Sequence, residues 1–281
     1  MAQGLEEEAE LEIASGIHSI PVQKGSFMGF FAPNVYLVVG ETGGALIDTG
    51  YGDEESVAAR LDYIRTVQPH LQYIVLTHTH PDHVGGAAVI KRETGAEIVL
   101  HSAEVGRGVV EVDRTVEDGD TLPFDGGGLE VVHTPGHSPG HVCIYLRQEK
   151  VLFSGDQVVG TGTTAMRPPE GDMATYIDSL RKLLNYDIAM ICPGHGPPVR
   201  EARRKIEELI QHRLEREEQV LGGLRQGKTT IGELVSVIYP ELDSRLVSAA
   251  RGQVLAHLVK LEREGKVSSS GGGEDVRYAL N

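Results

Sequence analysis

Residues 71–86 read Leu-Gln-Tyr-Ile-Val-Leu-Thr-His-Thr-His-Pro-Asp-His-Val-Gly-Gly. Leu71 to Leu76 is a short apolar run with β-branched members, the pattern of a buried strand. It stops at Thr77, and His78, His80, Asp82 and His83 follow at once. Pro81 cannot continue a strand ladder, so these side chains are expected in a turn past the strand end, with a helical stretch from Val84 to about Gly95. Neutral imidazole nitrogen and carboxylate oxygen are the ligand set of zinc and similar divalent ions. One histidine in a loop reads as an ordinary solvated residue. Several groups able to carry like charge do not crowd together cheaply without a cation.

Three further segments repeat the design. Leu129 to His133 leads into Thr134-Pro135-Gly136-His137-Ser138-Pro139-Gly140-His141, Lys150 to Phe153 into Ser154-Gly155-Asp156, and Asp187 to Ile191 into Cys192-Pro193-Gly194-His195-Gly196. Each is an apolar strand ending in a glycine-containing turn that presents a histidine or an aspartate. His-x-His-x-Asp-His, then Thr-Pro-Gly-His, Gly-Asp and Pro-Gly-His-Gly, in that order over roughly residues 17–200, resembles the metallo-β-lactamase superfamily. No single piece is specific; the combination is.

The resemblance implies an α/β fold, the four-layer αββα sandwich, with the site at one edge where strands end. It implies that His78, His80 and His137 hold one metal, that Asp82, His83 and His195 hold a second, and that Asp156 bridges them. His137 and His141 compete for one role; His137 directly follows the turn, as in the family, and is preferred, leaving His141 beside the site. Asp48, at the end of the strand Ala45-Leu46-Ile47, is expected to support the histidines, since a metal-bound imidazole usually donates its other N–H to such a group. Two divalent ions are implied, zinc first, with iron or manganese as alternatives. A hydroxide between them, available near neutral pH, would attack an ester, thioester or phosphodiester, with Asp82 placed to orient it and move its proton.

Composition narrows the class. The chain has 281 residues, enough for one large domain and an appendage. With 40% hydrophobic residues and no apolar run of bilayer length, it reads as soluble, with no membrane partner. The N-terminus is acidic (Glu6, Glu7, Glu8, Glu10, Glu12), unlike a signal peptide. Two cysteines, Cys143 and Cys192, argue against a disulfide scaffold and for a cytoplasmic setting. The net charge of −15 lies wholly in residues 1–200, which hold 13 basic and 28 acidic residues; the remainder is balanced at 13 each. No basic stripe tracks a phosphate backbone.

Between the first two strands, Phe27, Met28, Phe30 and Phe31 sit in a glycine-punctuated loop. They are read either as folding back on the core or as a flap walling a substrate pocket. Arg167, the cation of the loop after Asp156, is read as an anchor for an anionic group or as solvated. His101 and His133 are assigned to packing. From Glu201 the pattern changes: an amphipathic helix interrupted at Gly222-Gly223, a capping box at Thr230 and Glu233, a longer helix ending at Gly265, and a hairpin turning at Gly271-Gly272-Gly273. The expected division is a catalytic domain over 1–200, a connecting helix over 201–225 and a winged-helix-like domain over 226–281. Winged helices often enter the DNA major groove, but neutral charge favours packing or a homodimer contact.

The resemblance demotes several branches. A secreted lactamase would carry a signal peptide and usually a cysteine in place of Asp156. The nuclease branch with a large insertion needs more than the 38 residues between Asp156 and His195. Single-iron persulfide dioxygenases lack a full second site. A dinuclear hydrolase remains. Its substrate is open between single-stranded RNA, as for the lactamase-like group with a similar tail that includes an endoribonuclease, and a small acyl or thioester, as for glyoxalase II-like enzymes. A DNA-binding regulator is the third reading.

Overall fold

The computed structural model describes residues 11–20, 32–108, 111–125, 127–273 and 276–281. The first sheet contains β1 (Glu12–Ala14), β2 (Ile17–Ile20), β3 (Val35–Val39), β4 (Gly44–Ile47), β5 (Leu71–Val75), β6 (Glu97–His101) and β7 (Arg114–Val116), ordered in space as in the chain. Pairing is antiparallel from β1 to β4 and parallel from β4 to β7. The change falls where helices supply crossovers, as parallel strands require: α1 (Glu54–Val67) before β5, then α2 (Pro81–Val84) and α3 (Ala87–Thr94) before β6. The second sheet contains β8 (Thr121–Leu122), β9 (Leu129–His133), β10 (Val142–Leu146), β11 (Val151–Gly155) and β12 (Met190–Pro193), in the order β12-β11-β10-β9-β8. Here α4 (Met173–Leu183) is the crossover between the parallel β11 and β12.

Alternation along the strands builds the layers. Ile47, Val75 and Val99 of the first sheet meet Val131, Ile144 and Phe153 of the second in one buried cluster. Their neighbours Leu46, Ile74 and Ile98 pack outward under Ile64 of α1 and Ile90 of α3. Val132 and Leu152 pack outward under Tyr176 and Leu180 of α4 and under Leu209 of α5 (Ala202–Arg225). The result is the expected αββα sandwich. Every segment that carries a candidate ligand leaves the C-terminal end of a strand, so all of them gather along one edge.

After α5 come α6 (Ile231–Ile238), α7 (Val247–Arg263) and the hairpin of β13 (Val267–Ser270) with β14 (Arg277–Leu280). Leu234, Val254, Leu258 and Val267 form a separate core with Val220 and Leu224 of α5. The capping box is present, with Thr230 accepting from the Glu233 N–H. Two local expectations change. Pro81 opens α2 at its first position, where its missing N–H costs nothing, so Asp82 and His83 ride on a helical turn that begins before Val84. The Gly222-Gly223 pair does not interrupt α5, which runs on to Arg225. A Cβ on Gly223 would stand 2.6 Å from Leu234 Cδ2, so this glycine admits α6 rather than breaking a helix. Phe30 and Phe31, with the rest of 21–31, lie outside the described residues.

Candidate metal centre

His78, His80, Asp82 and His83 leave β5 through the short loop and α2; His137 follows β9, Asp156 follows β11 and His195 follows β12. Their ligand atoms fall into three overlapping groups, each within 4.8 Å: His78, His80 and His137; His78, His83 and Asp156; Asp82, His83 and His195. Asp156 stands between the outer two. Its Oδ2 is 3.5 Å from His137 Nε2, and its Oδ1 is 3.4 Å from His83 Nε2 and 3.5 Å from His195 Nε2.

Each of the five imidazoles has one nitrogen committed to the protein. His83 Nδ1 donates to Asp48 Oδ2 at 2.7 Å. His137 Nδ1 donates to the Ala165 carbonyl at 3.0 Å and His195 Nδ1 to the Ala32 carbonyl at 3.3 Å. His80 Nε2 donates to Glu170 Oε2 at 3.3 Å. Thr77 Oγ1 gives its proton to Asp48, so it accepts from His78 Nδ1 at 3.0 Å. The remaining nitrogens point at one another: His80 Nδ1 to His137 Nε2 at 2.9 Å, and His83 Nε2 to His195 Nε2 at 3.3 Å. His78 Nε2 and Asp156 Oδ1 are buried without a hydrogen-bond partner. A buried polar atom left unpaired is costly, and facing imidazole nitrogens need a proton or a cation between them. These residues fit a divalent cation on each side of Asp156.

Burial, reinforced by the neighbouring imidazoles, pushes His78 well below its ordinary value, and burial likewise lowers His137. Both are therefore neutral, as a metal ligand must be. Burial also acts to lower His83, but Asp48, Asp156 and Asp82 outweigh it and raise the group to about 10. Burial would raise Asp82, yet the His195 hydrogen bond and the charges of His83 and His195 hold its carboxyl below the usual range. The carboxylate side of the cluster thus attracts positive charge.

Asp48 lies beside the cluster, with its carboxylate on His83 Nδ1. It is 2% exposed and also accepts from the Thr77 N–H at 2.8 Å. His141 is fully buried with both nitrogens engaged: Nε2 accepts from the Asp156 N–H at 3.0 Å and Nδ1 lies 2.9 Å from Thr134 Oγ1. It braces Asp156 and has no lone pair left to offer. Gly194 is needed for the close fit, since a Cβ there would stand 2.7 Å from Asp156 Oδ1 and 2.9 Å from His83 Cε1. Arg167 is exposed, with its stem against Gly252 of α7. The cation tied to the cluster is Arg107 instead, whose Nη2 donates to Glu170 Oε1 at 3.0 Å. Sequence reasoning missed Glu170 and Arg107. The one available signal was an acidic residue in the same Pro-rich loop as Arg167.

A sequence model described as the metallo-beta-lactamase superfamily matches residues 28–195, more than half of the chain. The chain belongs to the metallo-beta-lactamase superfamily. A second model, the beta-lactamase associated winged helix domain, matches residues 230–275. A beta-lactamase-like protein 2 homolog of Drosophila melanogaster is 34% identical over 267 residues, covering 90% of each chain. A metallo-beta-lactamase family protein from Thermus thermophilus superposes with a TM-score of 0.79 at 25% identity, over 95% of this chain and 99% of that one. A protein solved in a di-iron-bound form superposes with a TM-score of 0.52 at 29% identity, over 61% of this chain and 91% of that one. This superfamily member thus carries a C-terminal winged-helix domain behind its metallo-beta-lactamase fold. No helix among its described residues is long and apolar enough to cross a membrane.

Proposed function

We propose that the chain is a hydrolase that works with two divalent metal ions on an ester, thioester or phosphodiester. The observation that carries this reading is the set of ligand nitrogens that face each other, each from an imidazole whose other nitrogen is already tied to the protein. His78, His80 and His137 would hold one ion, Asp82, His83 and His195 the other, and Asp156 both. The solved neighbour with two bound irons supports the count and leaves the metal open among zinc, iron and manganese. Bound there, such ions supply Lewis acidity and can lower the pKa of water from 15.7 to about 7.

The chain's own residues do the rest. Asp48 fixes the ring and tautomer of His83, Glu170 does the same for His80, and the Ala165 carbonyl for His137. The Asp82 side chain is 23% exposed, against 13% for Asp156 and 3% for Asp48, so of these three aspartates it is the one placed to orient a substrate-side water. Gly194 and His141 keep Asp156 rigid. The test is a panel of thioesters, esters and labelled single-stranded RNA, assayed with the purified chain and with His80→Ala and Asp156→Ala. Hydrolysis of one class by the parent, lost in both variants, bears out the reading and names the substrate class. Hydrolysis that survives both substitutions refutes it.

A further inference from the structure

The C-terminal helices reach the candidate metal centre through one loop. Residues 157–171 leave β11 directly after Asp156 and return at α4, passing Thr164 and Ala165 behind two of the seven ligands. Thr164 Oγ1 donates to the Asp156 carbonyl at 2.6 Å, and the Ala165 carbonyl takes the His137 Nδ1 proton at 3.0 Å. The loop is gripped from its other side. The Thr164 carbonyl accepts from Arg213 Nη2 of α5 and from Gln253 Nε2 of α7, both at 2.7 Å. Arg213 Nη1 also donates to Gln253 Oε1 at 3.0 Å, which locks the two side chains together.

Arg213 is 1% exposed, and its guanidinium carbon lies 5.2 Å from the centre of the Tyr176 ring. Among the described residues it has no carboxylate within ion-pair distance. A buried guanidinium without a counter-ion is costly, and an apolar residue would serve packing alone at least as well. Its Nη1 and Nη2 donate to Gln253 and to a single carbonyl, one residue from the peptide that orients His137, while its Nε is buried without a partner. At Gly252, α7 approaches so closely that a Cβ would stand 2.7 Å from the Met166 carbonyl oxygen. The helix is seated on the backbone of the loop.

We infer that Arg213 and Gln253 are positioning residues for the metal centre: through Thr164 and Ala165 they set the orientation of His137 and of the backbone at Asp156. The inference rests on the two-metal reading above. It makes the helices of the C-terminal unit part of how the site is built, independent of any nucleic acid.

The test uses the full-length chain with Arg213→Met, Arg213→Lys, Gln253→Ala and Gly252→Ala, and with Arg245→Ala in the exposed turn before α7 as a control. Each is loaded with Co²⁺, its binding steps are measured by competition with a chelator, and its visible absorption spectrum is recorded. Arg213→Met and Gln253→Ala are expected to weaken one of two binding steps about tenfold and to shift that ion's absorption bands. Arg213→Lys, which keeps one donor for the Thr164 carbonyl, should recover part of the loss, and Arg245→Ala should match the parent. If Arg213→Met does not fold, Gln253→Ala and Gly252→Ala decide: parental affinity and spectrum in both overturn the inference. A parent chain that binds no Co²⁺ would defeat the two-metal reading and this inference together. Two normal sites in every variant would defeat this inference alone.

Discussion

Two groups of histidines pack together among the described residues, and their ring nitrogens are arranged differently. At one edge of the sandwich, five imidazoles each spend one nitrogen on a protein acceptor and turn the other toward its neighbours. At the other cluster, His101 and His133 stack with ring centres 4.0 Å apart and planes 15° from parallel. Their nitrogens diverge: His101 Nδ1 accepts from the Ala103 N–H at 3.2 Å, and His133 Nε2 meets the Pro139 carbonyl at 3.0 Å. The nearest acid to His101, Glu117 at 3.3 Å, has a side chain 63% exposed. Both clusters bury histidine beside carboxylate. The convergence of ring nitrogens that no protein acceptor claims separates a candidate site from a packed pair, and neither burial nor histidine count does so.

That contrast can be broken most easily at the ligands themselves. His80→Ala or Asp156→Ala should lower metal affinity at least about a hundredfold, beyond what loss of a supporting group costs. His101→Gln and His133→Gln should leave it at the parental value; chelator competition reads both. A smaller effect is expected from Asp48→Asn, which removes the acceptor that orients His83: about 10- to 100-fold in affinity by the same measurement. Glu170→Gln should cost still less, about tenfold at most, because its contact to His80 is 3.3 Å long and its side chain is 34% exposed.

Acidity sharpens the comparison further. His83 and His195 are raised and hold protons that a cation must displace, so loading should weaken steadily as pH falls. The stacked pair responds in stability instead. Burial, with the His133 charge second, lowers His101. The unfolded chain therefore takes up that proton first, near pH 6.5, and stability falls as pH drops below about that value. His101→Gln should flatten that part of the pH–stability curve, measured by thermal unfolding of the metal-free chain.

Strand ends, turns and the candidate histidines and aspartates were legible because each sits within a few positions of the strand that aims it. The apolar run Leu71 to Leu76 and the glycine turns at Gly136, Gly155 and Gly194 are local signals of period and punctuation. What escaped depends on contacts between distant segments. Glu170 meets His80 across 90 positions and Arg107 across 63, and Arg213 meets Thr164 across 49. No local pattern marks such partners, so Arg167 drew the attention that Arg107 and Glu170 warranted. The glycine pair in α5 misled for the same reason: its cause is Leu234 on another helix. Pro81 was read as a strand breaker alone, although a first helical position also suits it.

The proposed function requires two metal ions at this edge of the sandwich. Elemental analysis of the purified full-length chain, calibrated against its protein concentration, tests it most directly. Two equivalents of zinc, iron or manganese per chain, falling to one or none in Asp156→Ala, is the result expected. One equivalent or none in the parent chain, even after reloading with excess Zn²⁺, would contradict it.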